Sequence, residues 1–251
     1  MKTYKEYLVS EADIRKKTII SFSIFFVLLA GFVFAWIWLQ KQPQDNGVIK
    51  PLRTVLNSNE GFFNNFFSND HLAKTFPLSA AVQHVRVNGD AGMSDNFDAS
   101  TWKLHWVRKP GDTLLIPLED IKALPKTDII FDFKCIEGWS QVTHWAGVKF
   151  TDFVSKYGIG DMEHMKYGEL VTPDGEYYVG IDMASLMHPQ TILCYEMNGQ
   201  PLPMNQGYPL RLIIPVKYGI KHLKRIQSIS FSNERTPDYW YERGYDYYSG
   251  L

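Results

Sequence analysis

From Ile19 to Leu39 the chain is apolar at every position except Ser21, Ser23 and Gly31. At 1.5 Å per residue such a run spans roughly 31 Å, the thickness of a bilayer core, and the pattern predicts a membrane-crossing helix over 18–39. Residues 40–59 are polar, with Pro43, Gly47 and Pro51, and read as a linker. Phe62, Phe63, Phe66 and Phe67 then recur at helical spacing, which suits either core packing or a helix resting on a bilayer surface. Farther on the pattern becomes strand-like, with short β-rich runs at 101–107, 128–135, 191–195, 210–215 and 226–231 between Gly, Pro and Asp turns. Short helices are expected at 118–123, 150–157 and 182–187. Unequally spaced strands with a few short helices predict an α+β domain over 60–251 rather than βαβ repeats.

Charge orients the span. Arg15, Lys16 and Lys17 precede it and Lys41 follows, so residues 1–17 are expected in the cytoplasm and the domain on the outer, periplasmic face of the inner membrane. Trp36 and Trp38 would lie at the outer interface. A cleaved signal peptide is the alternative, but the apolar run is longer than a usual signal core. Across 251 residues the chain is 45% hydrophobic, with a net charge of −1. That excludes wholesale disorder and gives no basic excess for nucleic acid. Two cysteines, Cys135 and Cys194, are too few for a disulfide framework or a four-thiolate zinc site.

Three segments carry candidate chemistry. In Phe133-Lys-Cys-Ile-Glu-Gly-Trp-Ser140 a cysteine ends an apolar strand and a glycine turn follows, a place where a thiolate can face a cavity or simply pack. Cys194 to Pro215 is dense in Gly and Pro and leads into a strand bearing Arg211. Lys217, Lys221, Lys224 and Arg225 surround Gly219, a pattern that fits either a phosphate cradle or a solvated basic face. His144 could pair with Cys135 in a thiol hydrolase, although nothing marks an oxyanion site. Neither a GxGxxG loop nor a Walker loop occurs.

In this order and spacing the segments resemble the molybdopterin-binding domain of the sulfite oxidase family, including its single-domain bacterial members of the methionine sulfoxide reductase type. CIEGWS is similar to the family's molybdenum-cysteine loop, and YEMNGQPLP followed by GYPLRLIIPVKYGIKHLKRI to its pterin-binding stretch; the resemblance covers about 76–236. It implies a mixed, β-rich fold and a molybdenum-molybdopterin cofactor, with Cys135 as the metal's thiolate. It also implies that Arg211, Lys224, Lys221 and Lys217 hold the pterin and its phosphate. Gln206 stands where some members have a histidine. Arg86 and Asn88 correspond to an Arg-Asn pair at the entry to the fold, here split by Val87. Tyr177 or Tyr178 would line the metal pocket, with Tyr178 carried forward as the catalytic candidate beside Cys135 and Glu137.

The reaction the resemblance implies is oxygen-atom transfer on a small oxygen-bearing substrate such as a sulfoxide or N-oxide. The chain has no Cys-x-x-Cys-His for a haem. Electrons are therefore expected to pass to or from a separate partner such as a membrane cytochrome. A cofactor-free ligand-binding or scaffold domain of the same fold is the competing expectation.

Overall fold

Ser10 accepts a hydrogen bond from the Asp13 N–H and caps helix α1, Glu11–Gln40, which carries acidic Glu11 and Asp13 in its first turn. At 30 residues it is about 45 Å long. None of its residues is buried, and it is the one helix among the described residues long and apolar enough to cross a membrane. The computed structural model describes residues 10–87, 89–160 and 164–250.

Residues 40–59 are not the loose linker their composition suggests. Strands β1, Gln44–Asp45, and β2, Val48–Ile49, pair antiparallel, and helix α2 follows over Lys50–Asn64. Pro51 does not oppose this helix, because in a first turn a proline removes no intrahelical bond. Arg53 of α2 is 1% exposed and donates to the carbonyls of Tyr241, Tyr245 and Asn46. On the same face Glu60 accepts from the Tyr167 hydroxyl at 2.6 Å and from Arg235 Nε at 2.8 Å. The helix is therefore docked through its polar side.

Two five-stranded sheets form the body of the domain. β3, Leu104–Lys109, and β4, Asp112–Ile116, make a hairpin and lead to α3, Leu118–Lys122. β5, Lys126–Lys134, and β6, Ser140–Lys149, form the longest hairpin, and α4, Phe150–Tyr157, follows directly. β7, Tyr167–Val171, pairs with β8, Tyr178–Asp182, which runs into the short helix α5, Met183–Leu186. The chain closes with β9, Ile192–Met197; β10, Gln200–Pro201; β11, Arg211–Ile213; and β12, Ser228–Ser232.

In one sheet β5, β6 and β9 lie side by side, with β10 and β11 both on the far edge of β9, all antiparallel. The other has the order β4-β3-β12-β7-β8 and a single parallel pair, β12 with β3. The fold is thus the mixed, β-rich α+β arrangement expected. Trp106 anchors the main core at 0% exposure, with the rings of Phe153 and Phe231 each 4.9 Å away. A second cluster, including Phe131, Trp145, Cys194 and Ile213, packs beneath the turn at the end of β5.

Candidate active site

The β5–β6 hairpin sets the position of Cys135. Lys134 and Ser140 form its last paired rung; beyond it the Cys135 N–H donates to the Trp139 carbonyl at 2.9 Å and the Gly138 N–H to the Cys135 carbonyl at 3.1 Å. Gly138 sits at φ 88°, which only glycine adopts without strain, and it closes the three-residue loop between Cys135 and Trp139. Cys135 is thereby held on the strand end, 3% exposed, in the wall of a cleft enclosing about 900 Å³ with its open mouth included. Burial pushes the thiol pKa up; the Glu137 backbone N–H works against the rise, the Glu137 carboxylate adds to it, and Arg86 opposes it. A bare thiol here stays protonated at neutral pH, and a bound cation would displace that proton.

Opposite chemistry comes from 206–224. Arg211 opens β11 in register with Cys194 of β9 and is 3% exposed. Its Nη1 donates to the Gln206 backbone carbonyl at 3.0 Å and to Gln206 Oε1 at 2.9 Å, and the guanidinium lies 4.5 Å from the centre of the Trp145 ring. Nε has no hydrogen-bond partner, and no carboxylate pairs with Arg211 among the described residues. Burial pulls its pKa down to about 10. Gln206 is fixed through Nε2 to the carbonyls of Val85 and Arg86, leaving its carbonyl oxygen for the guanidinium.

Lys224 reaches the Gly89 carbonyl at 2.6 Å; burial first and Arg211 second lower its pKa to about 8. The turn at Gly207, φ 102°, packs so closely on this lysine that a Cβ there would lie 2.9 Å from Lys224 Cα. Aromatic rings of Phe133, Trp139, Trp145, Trp240 and Tyr245 complete the walls.

Of the residues singled out from sequence, the fold brings Cys135, Glu137, Arg86, Gln206, Arg211 and Lys224 to this one cleft. Glu137 accepts from Trp139 Nε1 at 3.1 Å, and Arg86 lies 4.8 Å from the centre of the Trp139 ring. Lys217 and Lys221 are not in the cleft. Lys217 is buried against Asp182 at 2.8 Å, and Lys221 against Asp238 with a further bond to the Gly180 carbonyl at 2.9 Å. Both are neutralised inside the domain, where a lone ammonium would be costly, and they clamp the loop instead of facing a ligand. Of the four cations expected around Gly219, Lys224 alone lines the cleft; Arg225 donates to the Ser94 carbonyl at 2.8 Å.

Tyr178 also points elsewhere, its hydroxyl bonded to Glu242; Tyr177 is the tyrosine in the cleft wall, donating to the Ile220 carbonyl at 2.7 Å. Asn88 lies outside the described residues. His144 bonds Asp128 at 2.7 Å and is not in the cleft wall, so the Cys-His hydrolase arrangement does not form. Cys194 is fully buried behind Arg211, with its pKa pushed up to about 12 by burial.

Sequence reasoning missed His222. It lines the cleft, donates from Nε2 to the Lys217 carbonyl at 3.1 Å, and is held neutral with a pKa of about 3 by burial and by Arg211. Its only sequence signal is a place in the basic stretch between Lys221 and Lys224.

A soft sulfur donor thus shares one aromatic-walled cleft with a buried guanidinium that lacks a counter-charge. That is the donor set of a binding domain for an anionic metal cofactor. Residues 91–240 match the oxidoreductase molybdopterin binding domain family, and the chain belongs to it. It is 33% identical over 186 residues to the "Putative protein-methionine-sulfoxide reductase subunit YedZ1" of Azospira oryzae, covering 73% of this chain and 70% of that one. It is 31% identical to the protein-methionine-sulfoxide reductase catalytic subunit MsrP of Campylobacter jejuni, over 59% of this chain and 54% of that protein. Against the mitochondrial sulfite oxidase of Rattus norvegicus identity is 30%, over 61% of this chain and 33% of that one. The fold is similar to that of the sulfane dehydrogenase SoxCD from Paracoccus pantotrophus, at a TM-score of 0.50 and 18% identity, covering 67% of this chain and 46% of that one. The protein is a molybdopterin oxidoreductase of the sulfite oxidase type.

Proposed function

We propose that the chain is a membrane-anchored reductase that takes an oxygen atom from a sulfoxide, with its domain on the outer face of the inner membrane. The observation that carries the site is the meeting of Cys135 with the unmatched, buried Arg211 in one cleft. Molybdopterin, when bound, supplies a two-electron redox metal. Cys135 is suited to give that metal its protein thiolate, while Arg211, Lys224 and Gln206 offer the cations and amide that an anionic pterin phosphate requires. The spare Arg211 Nε is a donor still to be satisfied, and the residues present fit the group.

The reaction consumes a sulfoxide, two electrons and two protons, and yields a thioether and water. A neutral substrate suits a cleft whose cysteine is followed two residues later by Glu137. The relatives named as protein-methionine-sulfoxide reductase subunits favour this substrate class. The two electrons are assigned to a separate redox protein in or at the membrane, reached because α1 tethers the domain there. Residues 1–17 are placed in the cytoplasm, 18–39 across the bilayer and 60–251 outside it, with 40–59 as a docked connection.

The test is purification from a host that makes molybdopterin, with elemental analysis and an assay of sulfoxide reduction by a reduced viologen dye. Near one molybdenum per chain with sulfoxide turnover is expected. A metal-free protein despite available cofactor would return the scaffold reading.

A further inference from the structure

Helix α2 is amphipathic in the inverted sense. Its charged and polar side, Arg53, Asn57 and Glu60, faces the domain, where Arg235 donates to both Asn57 and Glu60. Its apolar side faces away: Leu52, Val55 and Phe62, with Phe66 in the turn after the helix, are 45%, 60%, 59% and 63% exposed. Their spacing of three, seven and four residues places them in one stripe on a 3.6-residue period. Phe62 and Phe66 lie 5.2 Å apart, and Phe63 flanks the stripe while stacking on Tyr248. A soluble domain gains nothing from turning this side to water, and a contiguous apolar face of this kind marks a contact surface.

The connection to α1 says what covers it. The Lys50 N–H, at the start of α2, donates to the Pro43 carbonyl at 2.8 Å, because the β1–β2 hairpin folds the intervening chain back on itself. Pro43 is three residues beyond the end of α1, at most about 11 Å of extended chain. The start of α2 is therefore held within about 11 Å of extended chain and one hydrogen bond of the end of α1, which keeps it close to the headgroup zone if α1 spans the bilayer, since that zone extends some 5–8 Å beyond the hydrocarbon core on each side.

We propose that the Leu52, Val55, Phe62 and Phe66 face of α2 lies in the outer leaflet of the bilayer that α1 crosses, so that the domain is seated on the membrane and does not swing from it. This rests on the reading of α1 as a membrane span. Seating has a consequence for the site. Arg53 holds the carbonyls of Tyr241 and Tyr245, and Tyr245 and Trp240 are part of the cleft wall. The wall formed by those two rings is thus tied to the membrane-seated helix, which fixes the cleft's orientation toward a redox partner in the same bilayer.

The full chain is reconstituted in phosphatidylethanolamine and phosphatidylglycerol vesicles carrying a diazirine phospholipid, irradiated, and its lipid adducts mapped by mass spectrometry. Adducts on both α1 and residues 52–66 are expected, with none at Leu115, an exposed apolar side chain on β4. A Val55→Glu, Phe62→Glu, Phe66→Glu variant should lose at least tenfold of the 52–66 adducts while α1 labelling stays unchanged. Adducts on α1 alone overturn the seating. Absence of adducts on α1 overturns the anchor itself, and the seating with it.

Discussion

Arg211 places a guanidinium in the protein interior with no carboxylate beside it among the described residues, an arrangement a stable apo fold has no reason to keep. Arg211→Met should therefore leave the thermal stability of the metal-free protein unchanged or raised. The same variant should lower molybdenum content by about 10- to 100-fold, the equivalent of a charge-assisted contact of about 1.5–3 kcal/mol. Parallel melting curves and elemental analysis check both halves. Cys135→Ser should abolish turnover, since a hydroxyl is a far poorer ligand than a thiolate, whereas Cys194→Ser, in the second core cluster, should be read in melting curves alone. His222 gives a pH signature. Its folded pKa of about 3 lies below the unfolded value near 6.5, so between those values the unfolded chain binds a proton that the folded chain lacks. Stability therefore falls as pH drops below 6.5, by about 1.4 kcal/mol per unit at most. His222→Gln, which keeps a donor and does not titrate, should flatten that fall in denaturant midpoints measured at pH 7 and pH 4.5.

At the level of elements, the docking of α2 depends on one buried side chain. Arg53→Ala removes donors from the carbonyls of Asn46, Tyr241 and Tyr245, and leaves those acceptors in a site too closed for easy hydration. A loss of about 2–4 kcal/mol is expected, seen as a lowered melting point and earlier proteolysis within residues 44–66. The first part of this helix was not legible in the sequence because Pro51 and several asparagines mimic a linker; the phenylalanines at its end were read at helical spacing, as core or as a face on a bilayer, and Phe62 and Phe66 face outward. The strands at 128–135, 191–195 and 226–231 were legible, since one or both faces are buried and their apolar runs say so. β6 and β8 were not, because Gly147 and Gly180 break the apolar pattern where backbones or rings crowd them; a Cβ would meet the Leu193 carbonyl oxygen or the Tyr247 hydroxyl at 2.1 Å. In the site, Cys135, Arg211, Gln206 and Lys224 could be placed by motif, because the turns that carry them are dictated locally. Lys217, Lys221 and Tyr178 could not. Whether a cation faces a ligand or a buried aspartate depends on Asp182 and Asp238, which lie far away in the chain, and alternation along one strand decides between Tyr177 and its neighbour.

On the scale of the whole molecule, the balance of charge around the cleft bears on which substrates the enzyme accepts. Sulfite is an anion and a sulfoxide is not. Arg211 and Lys224 are the deep positive charges of the cleft, and a bound pterin phosphate would consume them. What remains beside the cysteine is Glu137, exposed and bonded to the Trp139 N–H, with Arg86 over the ring of the same indole. The arginine offsets part of the carboxylate's repulsion, so rejection of an anion is not absolute. Among the described residues, however, no further Lys or Arg in the cleft wall supplies the surplus of positive charge that would draw sulfite toward the metal. With reduced viologen as donor, the holoenzyme should reduce a sulfoxide at a kcat/KM at least a hundredfold above that for sulfite oxidation with an artificial acceptor. Glu137→Gln should narrow that gap by raising the sulfite rate, and Arg86→Ala should widen it, because each changes the net charge met by an anion and leaves a neutral substrate little affected. Robust sulfite turnover by the unmodified enzyme would overturn the assignment of substrate while leaving that of cofactor intact. Equal effects of both variants on the two reactions would mean that these side chains shape the cleft and do not select by charge.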